Sequence, residues 1–108
     1  MSWEAVAELS DLAQGEIRKV NPEGVDLILV RLGDEVMAYL DACPHEGHPL
    51  SLGDLHGDVI VCAKHLWEFD ARSGAHVTRI PLSRNDLKKA PVRVAGGKVE
   101  VDTDALFA

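Results

Sequence analysis

Two short stretches carry the chemistry of this sequence: CPHEGHPL, which begins at Cys43, and CAKHLWEF, which begins at Cys62. They contain the only two cysteines of the chain, and each cysteine is followed closely by a histidine. One residue separates Cys43 from His45, two separate Cys62 from His65, and sixteen lie between His45 and Cys62. Thiolate and imidazole groups are preferred ligands of transition metals, so the pattern indicates a metal centre with these four residues as candidate ligands.

Three interpretations of the pattern remain open from the residues alone. Zinc also binds two cysteines and two histidines, but its motifs usually leave about two to four residues between paired ligands. Cys43 and His45 leave only one. A 2Fe-2S cluster relaxes this constraint, because one loop can send its cysteine to one iron and its histidine to the other. The third interpretation is a pair of inert buried thiols, which requires two close Cys/His pairs to arise by chance.

The rest of the chain is typical of a small all-β protein. Runs of β-forming residues alternate with Gly, Pro, Asn and Asp, and the pair Gly96-Gly97 predicts a two-residue hairpin because glycine adopts positive φ. The segments SDLAQG, from Ser10, and SRNDLKK, from Ser83, favour short helical turns. The predicted strands are residues 5–9, 16–20, 25–32, 36–41, 59–63, 76–79, 92–95 and 98–102. Both Cys/His pairs therefore fall at strand ends, on two loops at one edge of the sheet scaffold.

Length and charge restrict the function further. The 108 residues predict a single domain, residues 1–108. A net charge of −7 disfavours nucleic acid and anionic membranes as partners. The charge either favours a partner with a basic patch or only keeps the protein soluble. The N-terminus lacks the pattern of a secretory signal, and the longest apolar run, VDLILVRL, is far shorter than the roughly twenty residues that span a bilayer. We therefore expect a cytoplasmic protein without a membrane segment, whose cysteines serve metal or redox chemistry rather than a structural disulfide.

The two stretches resemble the signature of Rieske proteins, in which two cysteines bind one iron of a 2Fe-2S cluster and two histidines bind the other. Further matches are the segment APVRVAGGKVEVD, which resembles the closing hairpin of Rieske ferredoxins, and the residues Gly53, Phe69, Asp70 and Gly74. The resemblance implies an all-β Rieske fold of stacked antiparallel sheets with a small cluster-binding lobe at about residues 42–81. It also implies that Pro81, in a third loop, covers the cluster; alternatively, Pro81 only ends the preceding strand.

The resemblance implies an electron carrier rather than an enzyme. Rieske oxygenases carry a second, catalytic domain, for which the chain leaves no room after residue 80. Respiratory Rieske proteins have a membrane anchor and a second pair of loop cysteines, whose places are taken here by His48 and Lys64. The implied protein is a soluble, monomeric ferredoxin that passes single electrons from a flavin-containing NADH reductase to an oxygenase.

The second loop bears on the class of that oxygenase. Ferredoxins of ring-hydroxylating dioxygenases commonly have Cys-Pro-x-His-Gly at this point, whereas this chain has CAKHLWEF. The His-Leu-Trp sequence is more similar to ferredoxins of multicomponent diiron monooxygenases, which hydroxylate toluene and alkenes, so the resemblance favours that partner. Beside the loop, Trp67 is either an exposed docking aromatic or a partly buried anchor of the loop. Glu46, Glu68 and Asp70 form either a negative rim for the partner or an ordinary solvated face.

Overall fold

The computed structural model describes residues 3–43, 47–63, 66–77 and 86–104. Within these ranges the chain forms ten β-strands, arranged in three antiparallel sheets, and three single turns of 3-10 helix. The 3-10 turns are Leu9–Asp11, Pro22–Gly24 and Leu50–Leu52. The strands are β1 (Trp3–Glu8), β2 (Ile17–Val20), β3 (Leu27–Leu32), β4 (Glu35–Leu40), β5 (Asp54–His56), β6 (Val59–Val61), β7 (Glu68–Asp70), β8 (Lys89–Ala90), β9 (Val92–Ala95) and β10 (Lys98–Asp102). The predicted all-β class is confirmed.

The middle sheet, with strand order β2-β3-β4-β8, separates two apolar cores. Side chains alternate between the faces of a strand, so Leu27 and Leu29 of β3 join one core while Ile28 and Val30 join the other. All four are at most 1% exposed. Burial on both faces explains why the chain has an uninterrupted LILV run here instead of the alternating pattern of an antiparallel sheet with one face in water.

The other two sheets cover the middle sheet. The sheet β1-β10-β9 contributes Val99 and Val101 to the core that holds Leu27 and Leu29. The sheet β5-β6-β7 contributes apolar side chains to the opposite core, which also contains both cysteines. Each antiparallel sheet therefore packs on a different side of β3, and the cysteines belong to the side covered by β5-β6-β7.

Most of the predicted strands and turns are confirmed. The Gly96-Gly97 hairpin joins β9 to β10, with φ of 58° and 77° at the two glycines. A 3-10 turn lies at Leu9–Asp11, where SDLAQG predicts one. Of the predicted strand 76–79 only the first two residues are described, and His76 forms a single bridge with Phe69. Within the region 83–89 the described residues 86–88 are not helical and Lys89 belongs to β8, so the helical turn predicted there is wrong for these residues.

Three short strands, β5, β7 and β8, have no counterpart in the sequence prediction. Their segments, DLH, EFD and KA, each contain one apolar residue, and their other residues are charged or polar. Such segments are too short to show the alternation of apolar and polar residues that predicts a strand. They become strands because backbone partners are available: β5 and β7 pair with the two edges of β6, and β8 pairs with β4. Tertiary context overrides local preference at these places.

Tyr39 is the only tyrosine of the chain and lies completely buried on β4. Its hydroxyl donates a hydrogen bond of 2.7 Å to the carbonyl oxygen of Ala71, which follows β7. Burial, with a smaller contribution from the negative charge of Asp70, raises the pKa of Tyr39 well above its ordinary value. The phenol therefore stays neutral and joins the middle sheet to the β5-β6-β7 sheet through its hydrogen bond.

We expect Tyr39→Phe to destabilise the protein at neutral pH by about 1 to 3 kcal/mol, because the buried Ala71 carbonyl loses its donor. The pKa of Tyr39 is higher in the folded than in the unfolded state, so its contribution is present below about pH 10 and is lost as pH rises toward the folded value. Above about pH 10, the free energy of unfolding of the wild type should fall more steeply than that of Tyr39→Phe, by up to about 1.4 kcal/mol per pH unit. Denaturant titrations of both proteins at several pH values measure this, and parallel profiles would contradict it.

Within the described ranges, no helix is both long and apolar enough to cross a lipid bilayer.

Candidate metal centre

Cys43 and Cys62 lie in the same apolar core, 1% and 0% exposed, and neither forms a disulfide. Cys43 follows β4, which ends at Leu40, and Cys62 directly follows β6, which ends at Val61. This confirms the expectation that both cysteines stand at strand ends. The structure thus holds two reduced thiols of distant sequence position in one water-excluded cluster.

The two loops that begin at these cysteines are closed in the same way. The amide of Cys43 donates to the carbonyl oxygen of His48, and the amide of Cys62 donates to that of Trp67, each over 2.8 Å. Donor and acceptor are five residues apart in both loops. The residue before the acceptor has positive φ in both, 72° at Gly47 and 56° at Leu66.

In sequence, each closed loop contains one of the candidate histidines. His45 and His65 themselves lie outside the described residues, as do Lys64 and Pro81. The structure therefore brings together two of the four predicted ligands, the cysteines. The assignment of both histidines as ligands, and of Pro81 as a cover, stays a prediction.

Asp41 supports the first loop, a role that sequence reasoning missed. Its carboxylate accepts hydrogen bonds from the amide of Ser51 at 2.7 Å and from the Ser51 hydroxyl at 2.8 Å. Lys19 Nζ lies 3.7 Å from the same carboxylate, which is almost fully buried. These contacts join the end of β4 to the 3-10 turn Leu50–Leu52, so both ends of the first loop are fixed. The only signal in the sequence is a charged residue two positions before Cys43.

Gly53 fixes the position of β6 next to Cys62. Its backbone is ordinary extended chain, with φ −90° and ψ −158°, so glycine is not required here for a left-handed conformation. Space is the reason: a Cβ on Gly53 would overlap the carbonyl oxygen of Val61 and would lie 3.2 Å from that of Leu50. The chain segments on either side of Gly53 can approach so closely only because this residue lacks a side chain.

An aromatic stack lies at the end of the second loop. Trp67 and His76 lie face to face with ring centroids 4.3 Å apart and an interplanar angle of 9°. Phe69, completely buried, lies tilted against the same histidine at 5.2 Å. Trp67 is half-buried and packs against the core that contains the cysteines. Of its two predicted roles, the structure therefore favours the partly buried anchor of the loop.

The predicted acidic rim is only partly present in the described residues. Glu68 is exposed, whereas Glu46 lies outside the described residues. Asp70 has a structural role: its carboxylate accepts hydrogen bonds from the amides of Arg72 at 2.8 Å and Ser73 at 3.2 Å, which stabilises the turn after β7. Asp70 therefore belongs to the scaffold, and Glu68 is the described acidic group that faces solvent next to the second loop.

Comparison with known proteins identifies the family. Residues 2–98 match the Rieske [2Fe-2S] domain. Ferredoxin CarAc of Metapseudomonas resinovorans is 37% identical over 89% of this chain and 95% of its own length. The ferredoxin component of the alkene monooxygenase system of Xanthobacter autotrophicus is 29% identical over 94% of this chain and 81% of its own length. A structure described as the complex of reduced oxygenase and oxidised ferredoxin in carbazole 1,9a-dioxygenase contains a chain with a TM-score of 0.82 and 37% identity, over 92% of this chain and 91% of that one.

These matches confirm the resemblance that the two Cys/His stretches carry, and they leave the zinc and inert-thiol interpretations without support. The family cofactor is one 2Fe-2S cluster of the Rieske type. The chain belongs to the Rieske [2Fe-2S] domain family.

Proposed function

We propose that this protein is a one-electron carrier of an oxygenase system, which takes electrons from an NADH-dependent flavin reductase and delivers them to the oxygenase component. The observation that carries the proposal is the pair of identically closed loops, each beginning at a buried cysteine. Relatives named as the ferredoxin components of a naphthalene 1,2-dioxygenase system and of an alkene monooxygenase system, matched over 96% and 81% of their lengths, support it. The protein would then be an electron carrier and not itself an enzyme, active as a monomer in the cytoplasm, where NADH is available.

The residues present fit a 2Fe-2S cluster. We assign Cys43, His45, Cys62 and His65 as its ligands, because two reduced thiols share one buried core and each closed loop contains one histidine in sequence. When bound, the cluster supplies reversible one-electron chemistry. The protein contributes exclusion of water from the thiolates and fixed positions for the two loops. We assign the cluster-binding lobe to about residues 42–81, within a single domain of residues 1–108.

The class of oxygenase has two candidates, each with its own support. The His-Leu-Trp sequence of the second loop and the alkene monooxygenase relative favour the hydroxylase of a multicomponent diiron monooxygenase. The higher identity to Ferredoxin CarAc, and the solved complex in carbazole 1,9a-dioxygenase, favour a ring-hydroxylating dioxygenase. Both candidates use the same carrier chemistry and differ in the surface that the carrier must recognise.

The carrier function is tested with purified protein. Iron, acid-labile sulfide and zinc are measured, and the dithionite-reduced protein is examined by electron paramagnetic resonance for a Rieske signal. The reduced protein is then offered to the oxygenase of carbazole 1,9a-dioxygenase and to the hydroxylase of an alkene monooxygenase, and substrate turnover is followed. The higher kcat/KM identifies the class of acceptor. Zinc in place of iron, or reduced protein that supports neither oxygenase, would contradict the proposal.

We expect charge to accelerate the encounter with the oxygenase. The chain carries a net charge of −7, and Glu68 is exposed beside the second loop. The rate of electron delivery should fall as ionic strength rises from about 10 mM to about 200 mM, because the screening length shrinks severalfold. Glu4→Lys is the control, because Glu4 is exposed on β1 and its substitution changes the net charge by the same amount. Glu68→Lys should lower the rate of electron delivery at low salt more than Glu4→Lys does. Equal effects of the two substitutions would make the charge a general property of the protein rather than part of the docking surface.

A further inference from the structure

Leu66 has a backbone conformation that suits glycine better than leucine. Its φ is 56°, in the left-handed region, where the Cβ of an L-residue crowds the following carbonyl oxygen. The equivalent position of the first loop, one residue before the carbonyl that accepts the cysteine amide, is occupied by Gly47 with φ 72°. In both loops, the residue before the carbonyl that accepts the cysteine amide has a left-handed backbone conformation. Only the second loop has a large side chain at that position.

Burial does not compensate for this strain. The Leu66 side chain is 68% exposed, the highest value among the large apolar side chains of the described residues. Neither the backbone nor the core therefore favours leucine over glycine at position 66. Backbone strain at an exposed apolar side chain stabilises nothing within the fold, and strained residues of this kind cluster at sites that bind another molecule.

The surroundings of Leu66 extend the apolar surface. Trp67 follows it and stacks on His76, and Val77, 46% exposed, follows that histidine. The amide of Val77 donates to the carbonyl oxygen of Glu68 at 2.9 Å, which brings Val77 alongside the end of the second loop. We call the two exposed apolar side chains, Leu66 and Val77, the second-loop patch, and Trp67 is the half-buried residue that anchors the loop next to them. The patch lies directly beside the proposed ligand His65 in sequence and is bordered by the exposed carboxylate of Glu68.

We propose that Leu66 is the anchor residue of the second-loop patch and that this patch docks on the oxygenase component, in an apolar recess bordered by basic side chains. The inference rests on the proposed function, and the chain in the solved complex with an oxygenase, 37% identical to this one, supports the oxygenase as the occupant. The border of the patch is acidic and the net charge of the chain is −7. Because charges across an interface are complementary, the side chains around the recess on the oxygenase are basic. Leu66 has no part in cluster chemistry; its role is to hold the carrier in position on its acceptor.

The test compares Leu66→Gly and Leu66→Ala with the wild type, each carrying the cluster. Leu66→Gly removes both the anchor and the strain, whereas Leu66→Ala removes the anchor and keeps the strain. For both variants we expect the KM of the reduced carrier, in turnover by the oxygenase of carbazole 1,9a-dioxygenase, to rise about tenfold with kcat unchanged. The melting temperature should be equal to or above that of the wild type for Leu66→Gly only. The visible spectrum and the rate of reduction by dithionite should stay the same in both variants.

Val94→Ala is the matched control, because Val94 is an exposed apolar side chain on β9, in a different sheet. It should leave KM unchanged. An unchanged KM for Leu66→Gly, with normal turnover by the wild type, would overturn the inference and leave the proposed function intact. A lower melting temperature for Leu66→Gly would also overturn it, because leucine would then be stabilising. An equal rise in KM for the flavin reductase would overturn the assignment to the oxygenase. If the wild type supports turnover only by the alkene monooxygenase hydroxylase, the KM comparison is made with that acceptor, and absence of turnover by both oxygenases would refute the proposed function and this inference together.

Discussion

His65→Ala should yield a protein that purifies without a Rieske cluster and delivers no electrons to an oxygenase. Each iron of the cluster needs a full set of protein donors, and removal of one imidazole opens a coordination position to water. Loss of a residue that only supports a ligand already weakens metal binding by about 10- to 100-fold, so we expect loss of the ligand itself to exceed about 100-fold. Iron and sulfide analysis and the paramagnetic resonance spectrum of the reduced protein measure the effect.

His56→Ala is the matched control for this substitution. His56 is an exposed histidine at the end of β5, outside the two cysteine loops. This variant should keep full iron content, the spectrum and the electron-delivery rate of the wild type. A His65→Ala protein with unchanged spectrum and full activity would remove His65 from the ligand set and would require another donor in the second loop.

Gly53→Ala should destabilise the protein by about 3 kcal/mol, the upper part of the range for overpacked positions. The new methyl group would overlap the carbonyl oxygen of Val61, and backbone atoms cannot rotate away as a side chain can. Since Val61 directly precedes Cys62, the displaced backbone should also lower cluster content. Denaturant unfolding and iron analysis measure the two effects.

Gly57→Ala separates the steric effect from a general effect of alanine. Gly57 has φ of 65°, and a Cβ added there would meet no atom within 4 Å beyond its chain neighbours, so only the left-handed conformation is penalised. That substitution should cost about 1 kcal/mol and leave the cluster in place. A Gly53→Ala protein as stable as Gly57→Ala would show that the segment after the first loop can move away from β6 without loss.

The sequence by itself determined the chemistry of the site and the class of fold. The type and spacing of metal ligands are local properties of the chain, so two short Cys/His stretches were sufficient to indicate a 2Fe-2S centre and its family. The Gly96-Gly97 hairpin was equally predictable, because positive φ at two successive residues is a local requirement. Runs of β-forming residues are also a local signal, and they were sufficient to predict an all-β protein.

The tertiary structure alone decided which residues support the site. The strands β5 and β7 form because the two edges of β6 provide backbone hydrogen-bonding partners. The sequences DLH and EFD have no pattern of apolar and polar residues that predicts a strand. Asp41 and Ser51 meet across ten positions of sequence, and Trp67 and His76 across nine. Such contacts depend on how the sheets pack around β3, which is a property of the whole chain.

The second loop shows both contributions at one place. The sequence placed Leu66 next to a candidate ligand, but its positive φ and its 68% exposure follow from the hydrogen bond that closes the loop and from the packing beneath it. Residue type decides what a side chain can bind. Burial and backbone conformation, which arise only when distant segments pack together, decide whether that side chain stabilises the fold or is presented to a partner.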